Sequence, residues 1–336
     1  MFPQKDQVII IRILVLLMML GAIIASAIGS FSIPALNLLS GSLTELQRTV
    51  LIEIRLPRVI LSGLVGASLG LSGAALQGLF RNPLADPGLI GVSAGAALGA
   101  AVVIVLTSDL YIPPSLELFL LPLAGIVGAS MVTLLLFMFT KGFGYQGVTY
   151  LLLIGIAVNA IASVGIGILT YISTDSELRS LTFWTMGSFG GVTWSVLVPA
   201  MALMISSFFF LLPARRTLDI LQLGEIEAYR LGVDVKRVKY RVIFASAAAV
   251  GASVAISGMI GFVGLVIPHL ARLIGGVNHN YLLPASAAMG SFIMISADVI
   301  ARMVIQPAEL PIGLITSAIG SPFFLRLIFR MKKHDY

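Results

Sequence analysis

The sequence contains no cysteine. Disulfides, cysteine-ligated metal sites and thiol nucleophiles are excluded, and the redox compartment is left unmarked. Charge is nearly as scarce: 11% of the 336 residues are charged against 58% hydrophobic, and the mean hydropathy is +1.04. Twenty-one basic and 15 acidic side chains cannot cover a water-exposed surface of this size, so an ordinary cytosolic enzyme is excluded. Histidine occurs three times, at His269, His279 and His334, with no HExxH pair. His269, beside Pro268, reads as a capping or solvated residue rather than a metal ligand. There is no GxSxG elbow, and no lysine follows a glycine, so there is no P-loop. An intramembrane aspartyl protease would need two facing aspartates, and Asp298 alone falls within an apolar segment. No catalytic residue, metal site or bound cofactor is expected. ATP chemistry, if the protein uses it, has to come from another chain.

Long apolar runs are what the chain has instead. They lie at Val8–Ile28, Val59–Phe80, Leu89–Leu106, Phe119–Phe139, Tyr150–Ile172, Val192–Leu212, Leu283–Ala301 and Ile312–Phe329. Each is long enough to cross a bilayer, and the first is too long for the core of a cleaved leader, so it reads as a retained helix. The run from Val242 past Pro268 to Ile274 is too long for one span and is broken by Gly258, Gly261 and Gly264, which predicts two helices. Ten spans with both termini inside place sixteen lysines and arginines on the cytoplasmic side and leave Arg48, Arg55, Arg58, Arg179 and Arg302 outside. Nine spans would put the basic tail, Arg326 to Lys333, on the wrong face. The net charge of +6 is therefore a topology signal; lipid is an expected partner and nucleic acid is not.

Two segments echo one another. Val65–Gly73 reads VGASLGLSG and Val250–Gly258 reads VGASVAISG, six identities in nine. They fall on the second and seventh spans, which run in opposite directions, as in an inverted-topology repeat; the alternative is that membrane helices rich in small residues resemble one another by composition. Ser62, Gly66, Gly70 and Gly91, Gly95, Gly99 repeat at four-residue spacing, which permits close helix packing. The longest inner loop, about 213–241, contains LGEIEAYRLGVDVKRVKYR. A short helix there presents small and apolar residues on one side and charges on the other. It can insert into a groove on a soluble partner, or lie on lipid headgroups.

GEIEAYRLGV resembles the coupling segment of the permease subunits of binding-protein-dependent ABC importers for iron chelates, haem and vitamin B12, the FecCD-like type II importers. RLPR at Arg55–Arg58, RNPLADPGLIGVSAGAALG at Arg81–Gly99, FWTMGSFGG at Phe183–Gly191, GFVGLVIPHLARL at Gly261–Leu273, LLPASA at Leu282–Ala287 and AD..AR....AELPIG at Ala297–Gly313 resemble the same family in the same order. The resemblance covers nearly the whole chain.

It implies an all-α permease fold of about ten transmembrane helices with an inverted repeat, forming one domain over residues 1–336. It also implies a multi-pass protein of a prokaryotic cytoplasmic (inner) membrane. The expected partners are a pair of ATPase subunits carrying ATP and Mg, an extracytoplasmic substrate-binding protein, and a second permease subunit in a homodimer. Gly224, Glu225, Ala228, Leu231, Gly232 and Val233 are the expected coupling residues. Arg55 and Arg58, three apart around Pro57 at a helix start, can lie on one side and face outward. With Arg302 they are expected to dock carboxylates of the binding protein, or else to snorkel at the interface. Asp298, four residues before Arg302, is its expected intrahelical partner. Glu309 either caps the last helix at Pro311 or orients the mouth.

By resemblance Asn82 and Leu84 narrow the inner exit, with Val148 and Thr149 at a second constriction. The piece from Ser176 to Gly190 lies near the outer surface, moving in gating or packing only. Haem and ferric siderophores rank above cobalamin as cargo. The competing class, an ion-coupled secondary transporter, would need buried carboxylates on broken helices, and the spans lack them apart from Asp298. A membrane scaffold would need no set of outer arginines.

Overall fold

The computed structural model describes residues 4–29, 31, 43–108, 110–140, 147–305 and 308–332, and among these there is helix and no strand. In chain order the α-helices are α1 (Gln4–Ala27), α2 (Glu45–Thr49), α3 (Leu56–Phe80), α4 (Val92–Leu106), α5 (Pro114–Thr140), α6 (Gly147–Ile172) and α7 (Asp175–Met186). They continue with α8 (Trp194–Leu211), α9 (Arg215–Leu221), α10 (Glu225–Arg230), α11 (Val235–Ser257), α12 (Val263–Gly275), α13 (His279–Val304) and α14 (Ile312–Lys332). Among the described residues seven helices are long and apolar enough to cross a membrane; the shorter α4, α12 and α14 fall on the three remaining predicted spans. The long run divides where its glycines predicted. α11 ends at Ser257, Gly258 takes φ +69, and α12 begins at Val263.

Burial orders the bundle. α3 is almost wholly enclosed, whereas α1, α5 and α6 leave most of their apolar surface exposed. In water that surface would drive aggregation, but in lipid it is already solvated. What holds helices together in lipid is close packing, and α3 is made of residues that allow it: a Cβ added at Gly66 would lie 2.2 Å from the Gly290 carbonyl oxygen, and one at Gly70 would lie 2.4 Å from that of Ser286. α3 and α13 therefore touch backbone to backbone, antiparallel, at 66/290 and 70/286.

The second copy of the echoed segment makes the equivalent crossing. On α11, a Cβ at Gly251 would lie 2.8 Å from Ala129 Cβ, and Gly125 faces Ala255 at the same distance. Gly66 and Gly70 correspond in the echo to Gly251 and Ala255, so α3 on α13 and α11 on α5 share one register. The internal repeat is thus geometry as well as composition. The second small-residue run makes a further crossing: Gly95 and Gly99 of α4 meet Gly128 and Ala124 of α5.

Candidate functional site

At the end of the bundle predicted to be the inner one, α8 passes through a 3-10 turn, Leu212–Ala214, into α9, α10 and α11. α10 has only six residues and depends on its ends. Gly224 sits at φ +112 before it and Gly232 at φ +84 after it, backbone angles that residues with a Cβ adopt at a cost. The Gly232 N–H donates to the Tyr229 carbonyl (2.9 Å) and the Val233 N–H to that of Ala228 (3.0 Å). That is a Schellman ending, with the buried pair Ala228 and Val233 as its apolar contact. Glu225 bridges to Lys239 of α11 at 2.7 Å, both side chains largely enclosed. Asp234 caps α11 by accepting from the Arg237 N–H.

These contacts fix which face looks out. Ala228 and Val233, expected to meet a partner, are buried and hold α10 against the bundle, and Glu225 is occupied by Lys239. The side chains left outside are Leu223, Ile226, Tyr229 and the predicted Leu231, each between 58 and 65% exposed. Leu223, Ile226 and Tyr229 were missed from the sequence, although their three-residue spacing marks one stripe of a helical turn.

α9 and its flank are anchored to two spanning helices. The Asp219 carboxylate accepts from the backbone N–H of His279 at the start of α13 (2.9 Å) and lies 2.6 Å from its ring Nδ1. The Gln222 amide donates to the Gly78 carbonyl in the last turn of α3 (2.8 Å). That turn ends at Arg81 in the left-handed conformation, φ +51, whose guanidinium lies beside Gly224. The expected exit loop follows: Asn82, exposed, accepts from the Leu84 N–H at 2.9 Å, and Leu84 is half-buried. The loop ends where Asp86 caps the 3-10 turn Pro87–Ile90. The segments expected to couple and to narrow the exit are therefore adjacent. Val148 and Thr149 fall in the first turn of α6, and their side chains lie outside the described residues.

The outer end differs from the expectation of outward-facing arginines. A π-turn, Val50–Arg55, precedes α3 and accommodates Pro57, whose ring would crowd a regular turn. It delivers Arg55 and Arg58 into the bundle, where both are buried, as is Arg302. Arg55 donates to the carbonyls of Ser26, Ala27 and Phe31, and Arg302 to those of Ala25 and Ile28. Two guanidiniums thus satisfy the orphan carbonyls at the negative end of α1. Arg58 pairs with Asp298 of α13 (2.8 Å) and with Glu309 (2.8 Å). The expected partnership of Asp298 with Arg302 is present at 3.2 Å, but Asp298 serves Arg58 as well. Asp298 is fully buried, whereas the Glu309 side chain is 43% exposed. The loop between α7 and α8 lies on this cluster, with Gly190 beside Glu309 and Arg58. Among the described residues no group of His, Asp and Glu could hold a metal ion.

A bundle of apolar helices with one crossing register used twice, a structured knob at one end and an ion-pair cluster at the other suits a transport permease. The chain belongs to the FecCD transport family, the permeases of type II ABC importers, which it matches over residues 14–330. It is 42% identical over 320 residues to the hemin transport system permease protein HmuU of Yersinia pestis, covering 95% of each chain. It is 38% identical over 336 residues to the vitamin B12 import system permease protein BtuC of Vibrio parahaemolyticus, covering 99% of this chain and 95% of the other. Its fold matches a metal-chelate type ABC transporter in an inward-facing conformation with a TM-score of 0.85 and 36% identity, covering 96% of this chain and 99% of the other.

Proposed function

We propose that this chain, a single permease domain over residues 1–336, carries an iron chelate inward across the inner membrane, haem ahead of ferric siderophores. ATP and Mg act on separate ATPase subunits that grip its inner face. The observation that carries this reading is the inner knob: four large apolar side chains held out on and beside a six-residue helix, Ile226 and Tyr229 within it and Leu223 and Leu231 flanking it. A patch of that kind on a short structured element fits a groove on a soluble partner. Motion applied to α10 has two anchored routes into the bundle, Asp219 to α13 and Gln222 to α3. Such coupling suits a rigid-body switch between outward and inward access.

In this reading both termini are cytoplasmic and two copies of the chain enclose the pathway. The chain itself holds no cofactor. Asn82 and Leu84, and by resemblance Val148 and Thr149, narrow the inner exit. Arg55, Arg58 and Arg302 meet the binding protein only after the mouth opens, because their donors are turned inward here; a docking carboxylate would take the place of Glu309 on Arg58. The names of the relatives support a metal-chelate cargo. Haem is placed first on the hemin relative, and vitamin B12 is the second reading on the BtuC relatives. An ion-coupled mechanism is disfavoured because Asp298 is already neutralised by two arginines.

The test is uptake into proteoliposomes that hold this chain, its ATPase and its binding protein, comparing haem, a hydroxamate siderophore and cobalamin. ATP-dependent accumulation of haem is expected. Accumulation driven by an ion gradient with this chain alone would overturn the importer reading, and accumulation of cobalamin alone would move the cargo to the second reading.

A further inference from the structure

Beside the knob, and separate from it, a groove of about 610 Å³ opens between α8 and α11. Its floor is formed by Ser206, Ser207, Phe210, Phe244, Ala245 and Ala248, and its rim by Asp234, Lys236, Arg237, Tyr240 and Arg241, three cations against one carboxylate. The residues on α11 follow helical spacing: Arg237, Arg241, Phe244 and Ala248 are all exposed and form one stripe that begins at the basic end and runs about 16 Å into the apolar zone. Small residues at the deep end leave room, and the aromatic side is firm: Phe137 of α5 packs against Tyr240 and Phe244 with ring centroids 5.3 and 5.6 Å apart.

Two of the cations here have carboxylate neighbours and two do not. Lys239 is engaged by Glu225, and Arg237 approaches Asp234 at 3.6 Å. Lys236 and Arg241 make no ion pair among the described residues. Cations in the first turns of a helix also oppose its dipole. An apolar groove between two helices of spanning length, ending under a cluster of cations, matches an amphiphile with an acyl chain and an anionic head. Its volume lies within the usual range for a small-molecule site.

We propose that this groove binds an anionic glycerophospholipid, one acyl chain lying along Phe244, Ala245 and Ala248 and the phosphate between Lys236 and Arg241. The proposal rests on the membrane placement of the chain and not on its cargo, so its failure would leave the importer reading intact. Occupancy would brace the start of α11, the helix that holds Glu225 through Lys239.

The experiment is native mass spectrometry of the intact permease–ATPase complex, titrated in mixed micelles with phosphatidylglycerol or phosphatidylcholine. Wild type is expected to retain phosphatidylglycerol selectively. The double variant Lys236→Gln, Arg241→Gln should bind it roughly thirtyfold more weakly, given the contribution of each basic residue near an anionic lipid. Ala248→Trp, which fills the channel and keeps every charge, should also lose it, whereas Lys236→Arg with Arg241→Lys should retain it. A variant counts only if it still copurifies with the ATPase at wild-type yield. Equal retention of the two lipids by wild type, unchanged affinity in a properly assembled double variant, or displacement by inorganic phosphate alone would overturn the proposal.

Discussion

The two ends of the bundle use opposite chemistry. At the end predicted to face outward the charged groups turn into the bundle: Arg55, Arg58, Arg302 and Asp298 are buried, and the exposed edge of the cluster is Glu309. At the inner end apolar groups turn outward: Leu223, Ile226, Tyr229 and Leu231 face solvent while the polar contacts, Glu225 with Lys239 and Asp219 with His279, lie behind them. Buried charges give a geometry that is costly to disturb, whereas exposed apolar groups give binding energy to whatever covers them. The outer end is thus built to hold a shape and the inner end to be gripped.

Removing the centre of the outer cluster tests this most severely. Asp298→Ala removes the buried carboxylate that two guanidiniums share, leaving Arg58 only Glu309 and Arg302 only backbone carbonyls; breaking a buried pair costs on the order of 3–5 kcal/mol, and these remaining partners put the loss at the lower end. The expected outcome is loss of monodisperse protein in detergent, read by fluorescence-detected size exclusion, together with a lower melting temperature. Asp298→Asn, which keeps one acceptor for Arg58, should lose less. If Asp298→Ala were as stable as wild type, the outer charges would have no structural role and the contrast between the ends would fail.

The inner end should respond in the reverse sense. Tyr229→Ala combined with Leu231→Ser removes half of the exposed apolar knob and touches no buried contact. Binding to the ATPase should weaken by roughly 2–4 kcal/mol if these are interface anchors, while the melting temperature of the isolated permease stays near the wild-type value. Copurification yield and substrate-stimulated ATP hydrolysis give the readout. Ala228→Leu is the counterpart: it overfills a buried position, so stability falls and the exposed face is unchanged.

A third comparison sets the halves of the repeat against each other. At Gly66 an added Cβ meets a backbone carbonyl at 2.2 Å, whereas at Gly251 it meets the Ala129 methyl at 2.8 Å. Backbone cannot yield without parting α3 from α13, so Gly66→Ala should cost about 1–3 kcal/mol and Gly251→Ala distinctly less. Thermal melts of the two variants decide it, and equal losses would mean that the shared register does not reflect shared tightness.

These contrasts show which features the sequence could reveal. Apolar length and the glycines at 258, 261 and 264 made the helix order legible, including the break between α11 and α12. The echo of Val65–Gly73 in Val250–Gly258 even carried the register of two helix crossings, because close contact in lipid demands small residues at fixed spacing. The direction taken by Arg58 was not legible. It depends on Asp298 and Glu309, far away in sequence, and a local pattern of Arg-Leu-Pro-Arg is the same whether the side chains point out or in. The coupling segment was half legible. Gly232 followed by Val233 is a helix-ending signal that buries Val233 against Ala228, and weighing it would have shown that Leu223, Ile226 and Tyr229 are left exposed.

The smallest effect is the one expected at Glu309. Its side chain is 43% exposed, so solvent already screens its bridge to Arg58, and the pair should contribute no more than about 1 kcal/mol. Glu309→Gln keeps a hydrogen-bond acceptor for Arg58, and Asp298 continues to neutralise it, so the melting temperature should move by only a few degrees. Transport is the more informative readout. If a carboxylate of the binding protein displaces Glu309 from Arg58, removing this internal competitor should tighten binding-protein association by a few-fold, with a weaker dependence on salt. A Glu309→Gln variant that binds less tightly than wild type would instead make Glu309 a direct part of the docking surface, and the outer mouth would then resemble the inner knob in presenting its contacts openly.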